Sequence, residues 1–277
     1  MDGTQSCTLT PRSTDGKVRV LQLSDCHLFA DESGELLGVN TAQSFKAVLG
    51  AAREQGYPCD LVLVTGDISQ DYSAASYRRF ASMISGIGAP VFFLPGNHDD
   101  GPLEYRIFGE LGISTARRVI CGAWQFVLLN SEVYSQAHGW VLRSELEMLR
   151  QAVEERRDLM TCVCIHHFPL LTGSAWLDTQ TLHNQDEFRV FVKRMDTVRL
   201  VLSGHIHQEA DTLMGQVRCI ASPSTSIQFA PRSQEFELDT KAPGWRCLEL
   251  SQDGSVRTEV CRLPEGCFTP NYSARGY

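Results

Sequence analysis

The segment Pro90-Val-Phe-Phe-Leu-Pro-Gly-Asn-His-Asp99 decides how the chain is read. An apolar run stops at a glycine and is followed by an amide, an imidazole and a carboxylate, as expected of a buried strand that opens into a loop carrying chemistry. The layout recurs along the chain. Val18 to Ser24 runs into Asp25-Cys26-His27, Leu61 to Thr65 into Gly66-Asp67, Met160 to Ile165 into His166-His167, and Leu200 to Ser203 into Gly204-His205-Ile206-His207. Trp124 to Leu129 reads as a further strand. Helical spacing fills the intervals: Thr41 to Gln55 puts Phe45, Val48, Leu49 and Ala52 on one face behind an Asn40 cap, and Ser73 to Ser85 does so with Tyr77, Phe80 and Ile84. Arg143 to Glu155 repeats the pattern through Leu146, Leu149 and Val153, and Gln185 to Arg194 is a shorter helix. Alternating strands and helices predict an α/β fold, whose strand-end loops gather at one edge where ligands bind.

Composition narrows the function classes. The chain has 277 residues, of which 43% are hydrophobic and 21% charged, with a net charge of -8, so it can bury a substantial core. An acidic balance without a basic run argues against holding a nucleic acid by bulk charge, and an anionic substrate needs local positive help. No apolar stretch of about 18 residues or more predicts a membrane span, and the polar N-terminus lacks a secretory pattern, so a cytoplasmic protein is expected. The ten cysteines are scattered without a C-x-x-C pair and read as free thiols. After Ser203, the segments Val217 to Ala221, Gly244 to Leu250 and Val256 to Cys261 read as a second, more antiparallel sheet, and Pro264 to Tyr277 as a tail. With no linker, residues 1–277 are expected to form one domain, its core about 18–210 and its C-terminal strands and tail about 211–277.

Five strand ends thus deliver Asp25, His27, Asp67, Asn97, His98, His166, His205 and His207 to one place. Carboxylate, amide oxygen and imidazole form a donor set for first-row metals. The set is too large for one tetrahedral ion, whereas two ions sharing a carboxylate suit phosphoryl displacement. In extended backbone, residues i and i+2 point the same way, so Asp25 with His27, and His205 with His207, are expected to converge while Cys26 joins the core. Gly66, Gly96 and Gly204 are expected to let the chain turn sharply as it leaves the strands. Asp99 could orient His98 or cap the next helix.

The order D-x-H, G-D, G-N-H-D, H, G-H-x-H resembles the calcineurin-like metallophosphoesterase superfamily from Asp25 to His207, 183 residues of 277. The resemblance implies a four-layer αββα sandwich with two mixed β-sheets. One metal would take Asp25, His27, Asp67 and His207, and the other Asp67, Asn97, His166 and His205. Two divalent or trivalent ions are implied, iron and manganese foremost, with zinc compatible.

A closer likeness, to the bacterial class III cyclic nucleotide phosphodiesterases, continues through SAWLDTQTLHN (174–184), GHIHQE (204–209), SPSTSIQF (222–229), LDTKAPGWR (238–246) and the closing SARGY. Phe168 departs from that family's pattern, which often has His or Pro there, without removing a ligand. The likeness implies hydrolysis of 3′,5′-cyclic AMP to 5′-AMP by a hydroxide held between the ions, with the cyclic nucleotide as the partner molecule. It also implies substrate contacts from His27, Asp67, Asn97, His98 and His207, His98 being the catalytic group that holds the phosphate or protonates the leaving oxygen. Other phosphodiesters, such as glycerophosphodiesters or 2′,3′-cyclic nucleotides, are the alternative substrates, and a binding scaffold without activity is the non-enzymatic one. His167 is expected to point away from the ligands. His138 either lines the edge of the site or lies on the surface, and Trp176 and His183 either stack on adenine or simply pack.

Overall fold

The computed structural model describes residues 5–276; residues 1–4 and Tyr277, the end of the expected tail, lie outside the described residues. Two mixed sheets lie face to face. The larger has the order β1-β7-β8-β9-β10-β12-β11, formed by β1 (Ser6–Leu9), β7 (Arg118–Cys121), β8 (Trp124–Leu128), β9 (Met160–Cys164), β10 (Val198–Ser203), β12 (Val217–Ala221) and β11 (Ala210–Met214). The smaller has the order β14-β13-β2-β5-β6, formed by β14 (Val256–Arg262), β13 (Gly244–Ser251), β2 (Lys17–Leu23), β5 (Leu61–Val64) and β6 (Val91–Phe93). A two-stranded hairpin of β3 (Glu35–Leu36) and β4 (Val39–Asn40) precedes the first helix.

Alternation along the strands builds the layers. Leu61 and Leu63 face the other sheet, where they join Trp124, Phe126, Leu128, Leu200 and Leu202. Val62 and Val64 face outward, under Phe45, Val48 and Leu49 of α1 (Thr41–Glu54), Tyr77 and Phe80 of α2 (Ala74–Ile84) and Phe108 of α3 (Gly101–Glu110). On the other side Val127, Val163 and Val201 pack under Leu146 and Leu149 of α4 (Arg143–Glu155) and Phe188 and Val192 of α5 (Gln185–Val192). The result is the expected helix-sheet-sheet-helix stack.

The end of the chain does not build a sheet of its own. β12 pairs in parallel with β10, whereas β13 pairs antiparallel with β2, so the C-terminal strands extend both existing sheets. Hydrogen bonding to β10 and β2 satisfies edges that a separate sheet would leave open. The helix that Asp99 was one candidate to cap is α3, and its cap is Asp100 instead, which accepts from the Leu103 N–H, with the proline in its first turn. Asn40 caps α1 as expected, through the Gln43 N–H. All ten cysteines are free, and Cys26 is buried in the core. No described helix is long and apolar enough to cross a membrane.

Candidate metal centre and active-site cleft

The loops that follow β2, β5, β6, β9 and β10 are tied to one another by their backbones. The Asp25 N–H donates to the Gly66 carbonyl at 3.0 Å, His27 N–H to the Asp67 carbonyl at 2.9 Å, and Gly204 N–H to the His166 carbonyl at 3.1 Å. The His205 N–H reaches Asp25 Oδ1 at 3.0 Å, and the His98 N–H reaches Asp67 Oδ1 at 2.8 Å. Loops from both sheets therefore form one framework.

The convergence of Asp25 with His27, and of His205 with His207, does not come from extended backbone. Asp25, His27, Asp67, His205 and His207 have φ values of 56°, 49°, 51°, 68° and 45°, in the left-handed region that non-glycine residues avoid. Such residues cost on the order of 1–3 kcal/mol each and persist only where surrounding bonds impose them. Around Asp25 those bonds come from the 222–229 segment. Ser224 Oγ donates to the Asp25 carbonyl at 2.8 Å, Ser226 Oγ reaches it at 3.3 Å, and the Thr225 N–H donates to the Ser24 carbonyl at 3.0 Å.

Only Gly66, at φ 92°, uses the conformational freedom expected of the three glycines. Gly96 and Gly204 serve close approach instead, since a Cβ would collide with Asp67 Oδ1 at the first and Ser24 Oγ at the second. Asp99 neither orients His98 nor caps α3. Its carboxylate accepts from the N–H groups of Gly96 (2.9 Å), Ile68 (3.2 Å) and Ser69 (2.9 Å), clamping the loop that carries Asn97 to the one that carries Asp67.

All seven expected ligands meet in a buried cluster. Asp25, His27, Asp67 and His207 each place a donor atom within 4.8 Å of the others. In the second group Asn97 Oδ1 lies 3.1 Å from His166 Nε2 and 2.9 Å from His205 Nδ1. One oxygen, Asp67 Oδ2, stands between the groups, 3.7 Å from His27 Nε2 and 3.4 Å from His166 Nε2.

The protons explain why these donors suit cations. A carbonyl only accepts, so His166 Nδ1, His207 Nδ1 and His205 Nε2 must donate to the carbonyls of Thr65 (2.7 Å), Ile227 (2.9 Å) and Gln180 (2.9 Å). When a ring is neutral, its other nitrogen presents a lone pair inward, as metal ligation requires. His207 Nε2 faces His27 Nε2 at 3.0 Å, while the inward nitrogens of His166 and His205 face Asn97 Oδ1. Acceptors packed against acceptors fit a pair of positive ions among them, and that is the test the donor set passes.

Electrostatics agree. Burial pushes the Asp67 carboxyl up, yet His166, His98 and His27 together hold it well below the usual range. Burial would lower His166, but the Asp67 charge lifts it to about 9, so without an ion this ring takes up a proton and supplies the positive charge that a metal ion would replace. His27 and His205 are pushed down to about 3, chiefly by burial, which keeps them neutral as donors. Burial, then the charge of Asp67, raises Asp99 to about 7 against the pull of its three backbone donors.

Above the cluster opens a cleft of about 460 Å³ lined by Tyr72, Asn97, His98, Gln136, Trp176, Gln180, Phe236 and Arg275, with Ser135, Ala137 and Gly276. His98 is thus the expected site histidine that faces open space, with its ring 5.1 Å from that of His27. Tyr72 donates its hydroxyl to the Asn97 carbonyl at 3.0 Å and lies nearly parallel to His98. Trp176 lines the cleft and also packs edge-on against Phe229 and Phe236. His183 does not: it stacks on His138 at 3.8 Å, and neither ring is part of the cleft lining.

His167 is also placed differently from expectation, its ring 4.9 Å from His166 and 4.5 Å from His205. Gln70, whose Oε1 is 2.6 Å from His27 Nδ1, and Ser131, whose Oγ is 2.8 Å from His167 Nδ1, carry no sequence signal of their own. Ser224 and Ser226 do lie in a segment of family likeness, which marked their neighbourhood without revealing their role.

Comparison with known proteins agrees with this geometry. The profile of the calcineurin-like phosphoesterases matches residues 18–209. The chain is 42% identical to the 3′,5′-cyclic adenosine monophosphate phosphodiesterase CpdA of Escherichia coli (strain K12), covering 99% of this chain and 100% of that protein. It is 37% identical to the CpdA of Pseudomonas aeruginosa, covering 96% and 97%. Among solved structures, a dimetal phosphatase from Danio rerio superposes with a TM-score of 0.59 at 13% identity, over 89% of this chain and 99% of that one, a likeness of fold. Matched from β2 through the last histidine motif, and along nearly its whole length by relatives of this kind, the chain belongs to the calcineurin-like phosphoesterases.

Proposed function

We propose that this protein hydrolyses 3′,5′-cyclic AMP to 5′-AMP at a dinuclear metal centre. The observation that carries the reading is the single Asp67 oxygen between two buried donor groups, beneath a cleft of nucleotide size. Asp25, His27, Asp67 and His207 would hold one ion, and Asp67, Asn97, His166 and His205 the other. Nitrogen and oxygen donors without thiolate favour iron or manganese, with zinc compatible. When bound, two such ions supply Lewis acidity and make water available as a nucleophile toward phosphorus near neutral pH.

The chain's own groups do the rest. His98 faces the cleft from a loop fixed by its N–H bond to Asp67 Oδ1, a position suited to holding a phosphoryl oxygen and giving a proton to the departing O3′. Water adds its oxygen to phosphorus, the P–O3′ bond breaks, and the proton ends on O3′. Trp176, Phe236 and Tyr72 offer aromatic faces to a base. Arg275 is the only Lys or Arg lining the cleft among the described residues, which answers the need of an acidic protein for local positive charge. Its segment is anchored by the Asn271 N–H on the Leu37 carbonyl at 2.7 Å. With β12–β14 built into both sheets, we read the chain as one domain, acting in the cytoplasm.

Metal-loaded protein should cleave cyclic AMP with a higher kcat/KM than cyclic GMP, 2′,3′-cyclic AMP or bis(p-nitrophenyl) phosphate. If the generic diester is cleaved as well as cyclic AMP, the substrate reading fails and a broad phosphodiesterase remains. Normal turnover by Asn97→Ala would defeat the two-metal assignment. Arg275→Ala should raise KM for cyclic AMP roughly tenfold, equivalent to about 1.4 kcal/mol, with little change in kcat. Steady-state kinetics separates the two parameters, and an unchanged KM would remove Arg275 from substrate binding.

A further inference from the structure

His167 is a buried imidazole that the seven-ligand scheme leaves without work. It follows His166 directly, yet its ring lies edge-on to that of His166 at 4.9 Å and 85°, and 4.5 Å from that of His205. A donor atom of His167 lies within 4.8 Å of one from each of those two residues. The outer side of the ring is fixed. Nδ1 is 2.8 Å from Ser131 Oγ, and the Gly139 backbone presses so closely that a Cβ there would collide with Cγ and Nδ1. The remaining nitrogen, Nε2, is buried and makes no hydrogen bond of normal geometry, although the Ala137 backbone also bears on the ring.

Leaving such a nitrogen unpaired is costly, and native proteins rarely do so without a use. Nδ1–H can donate to the Ser131 hydroxyl oxygen, which leaves a lone pair on Nε2. His167 is grouped with His166 and His205 through a donor atom, Nε2 is the nitrogen that Ser131 does not engage, and the inward nitrogens of those two neighbours face Asn97 Oδ1. A cation satisfies all three nitrogens at once.

Resting on the dinuclear reading above, we propose that His167 Nε2 is a further imidazole donor to the second ion, added to Asp67, Asn97, His166 and His205. Three imidazoles at one ion favour transition metals such as cobalt or zinc over magnesium, which prefers an all-oxygen shell. Ser131 and Gly139 are then positioning residues. They hold the ring from behind and connect the loop before α4 to the metal centre.

The test uses full-length protein stripped of metal, with two variants: His167→Phe, which keeps the ring's bulk without a nitrogen, and His167→Gln, which replaces imidazole by an amide. Cobalt, zinc and magnesium ions are titrated separately, and bound metal per chain and the cobalt absorption spectrum are recorded. Wild type should take up two cobalt ions. In both variants the first ion should bind as in wild type, while the second should bind on the order of 10–100-fold more weakly. The loss should be larger for cobalt and zinc than for magnesium, and the cobalt spectrum should change. Equal weakening for all three metals with an unchanged cobalt spectrum would assign His167 to packing and overturn the proposal, as would unchanged second-ion affinity in either folded variant. If wild type itself binds only one ion, the dinuclear reading falls and the proposal with it; if wild type binds two and only the His167 effect is missing, the proposal alone falls.

Discussion

Asp67→Asn is expected to lower phosphodiester hydrolysis on the order of 10³-fold or more while leaving the fold intact. Oδ2 of this carboxylate lies 3.7 Å from a nitrogen of one donor group and 3.4 Å from a nitrogen of the other, so one substitution reaches both proposed ions. Asparagine conserves volume and retains an oxygen that can accept from the His98 N–H, now 2.8 Å from Oδ1. It removes the negative charge that would balance two cations in a buried place, and charge stabilisation of that kind is a leading contribution to catalysis. Turnover of cyclic AMP and bound metal per chain, measured with circular dichroism on the same sample, check the expectation. A variant that keeps both ions and the wild-type rate would show that Asp67 is not the shared ligand.

Asp99→Ala should instead act on stability. The carboxylate satisfies three backbone N–H groups, at Gly96, Ile68 and Ser69, and is itself fully enclosed. Alanine leaves all three without an acceptor at a cost of about 1–3 kcal/mol for each group that water cannot reach, or about 3–5 kcal/mol after relaxation. For a chain of this size that corresponds to a fall in Tm of roughly 6–20 °C. Asp99→Asn keeps one accepting oxygen and should lose less. Because the same bonds hold the Asn97 loop against the Asp67 loop, metal affinity should fall together with Tm. Thermal unfolding of the metal-loaded proteins checks this, and a Tm within about 2 °C of wild type for Asp99→Ala would contradict it.

These two carboxylates show how differently the site could be read in advance. Asp67 follows an apolar strand and a glycine, in order with four other polar strand ends, and the recurrence exposes it. Asp99 sits in the same motif as Asn97 and His98, but its work is done with backbone donors of a loop about thirty residues away, which no local pattern records. Helix α3 was touched only through a possible cap at Asp99, because its packing residues Ile107 and Phe108 become decisive only once the sheet offers an apolar face. The C-terminal strands were recognised as strands of a more antiparallel sheet, but their partners were not legible, because pairing with β10 and β2 depends on edges contributed from far away in the chain.

The amino-acid sequence by itself determined the alternation of buried strands with amphipathic helices, the seven donor residues and their order, and an acidic balance that calls for local positive charge. Those properties reside in residue type and short-range spacing, which is where hydrophobic periodicity and ligand chemistry are written. Tertiary structure alone decided how the donors meet. It holds Asp25, His27, Asp67, His205 and His207 in left-handed backbone through bonds that include those of Ser224 and Ser226. It also turns His167 toward its neighbours, stacks His183 on His138 outside the cleft lining, and brings Arg275 into the cleft. The physical reason is that a strained φ, a buried lone pair and a distant guanidinium each depend on groups far away in sequence, and only the closed fold brings those groups within hydrogen-bonding or packing distance.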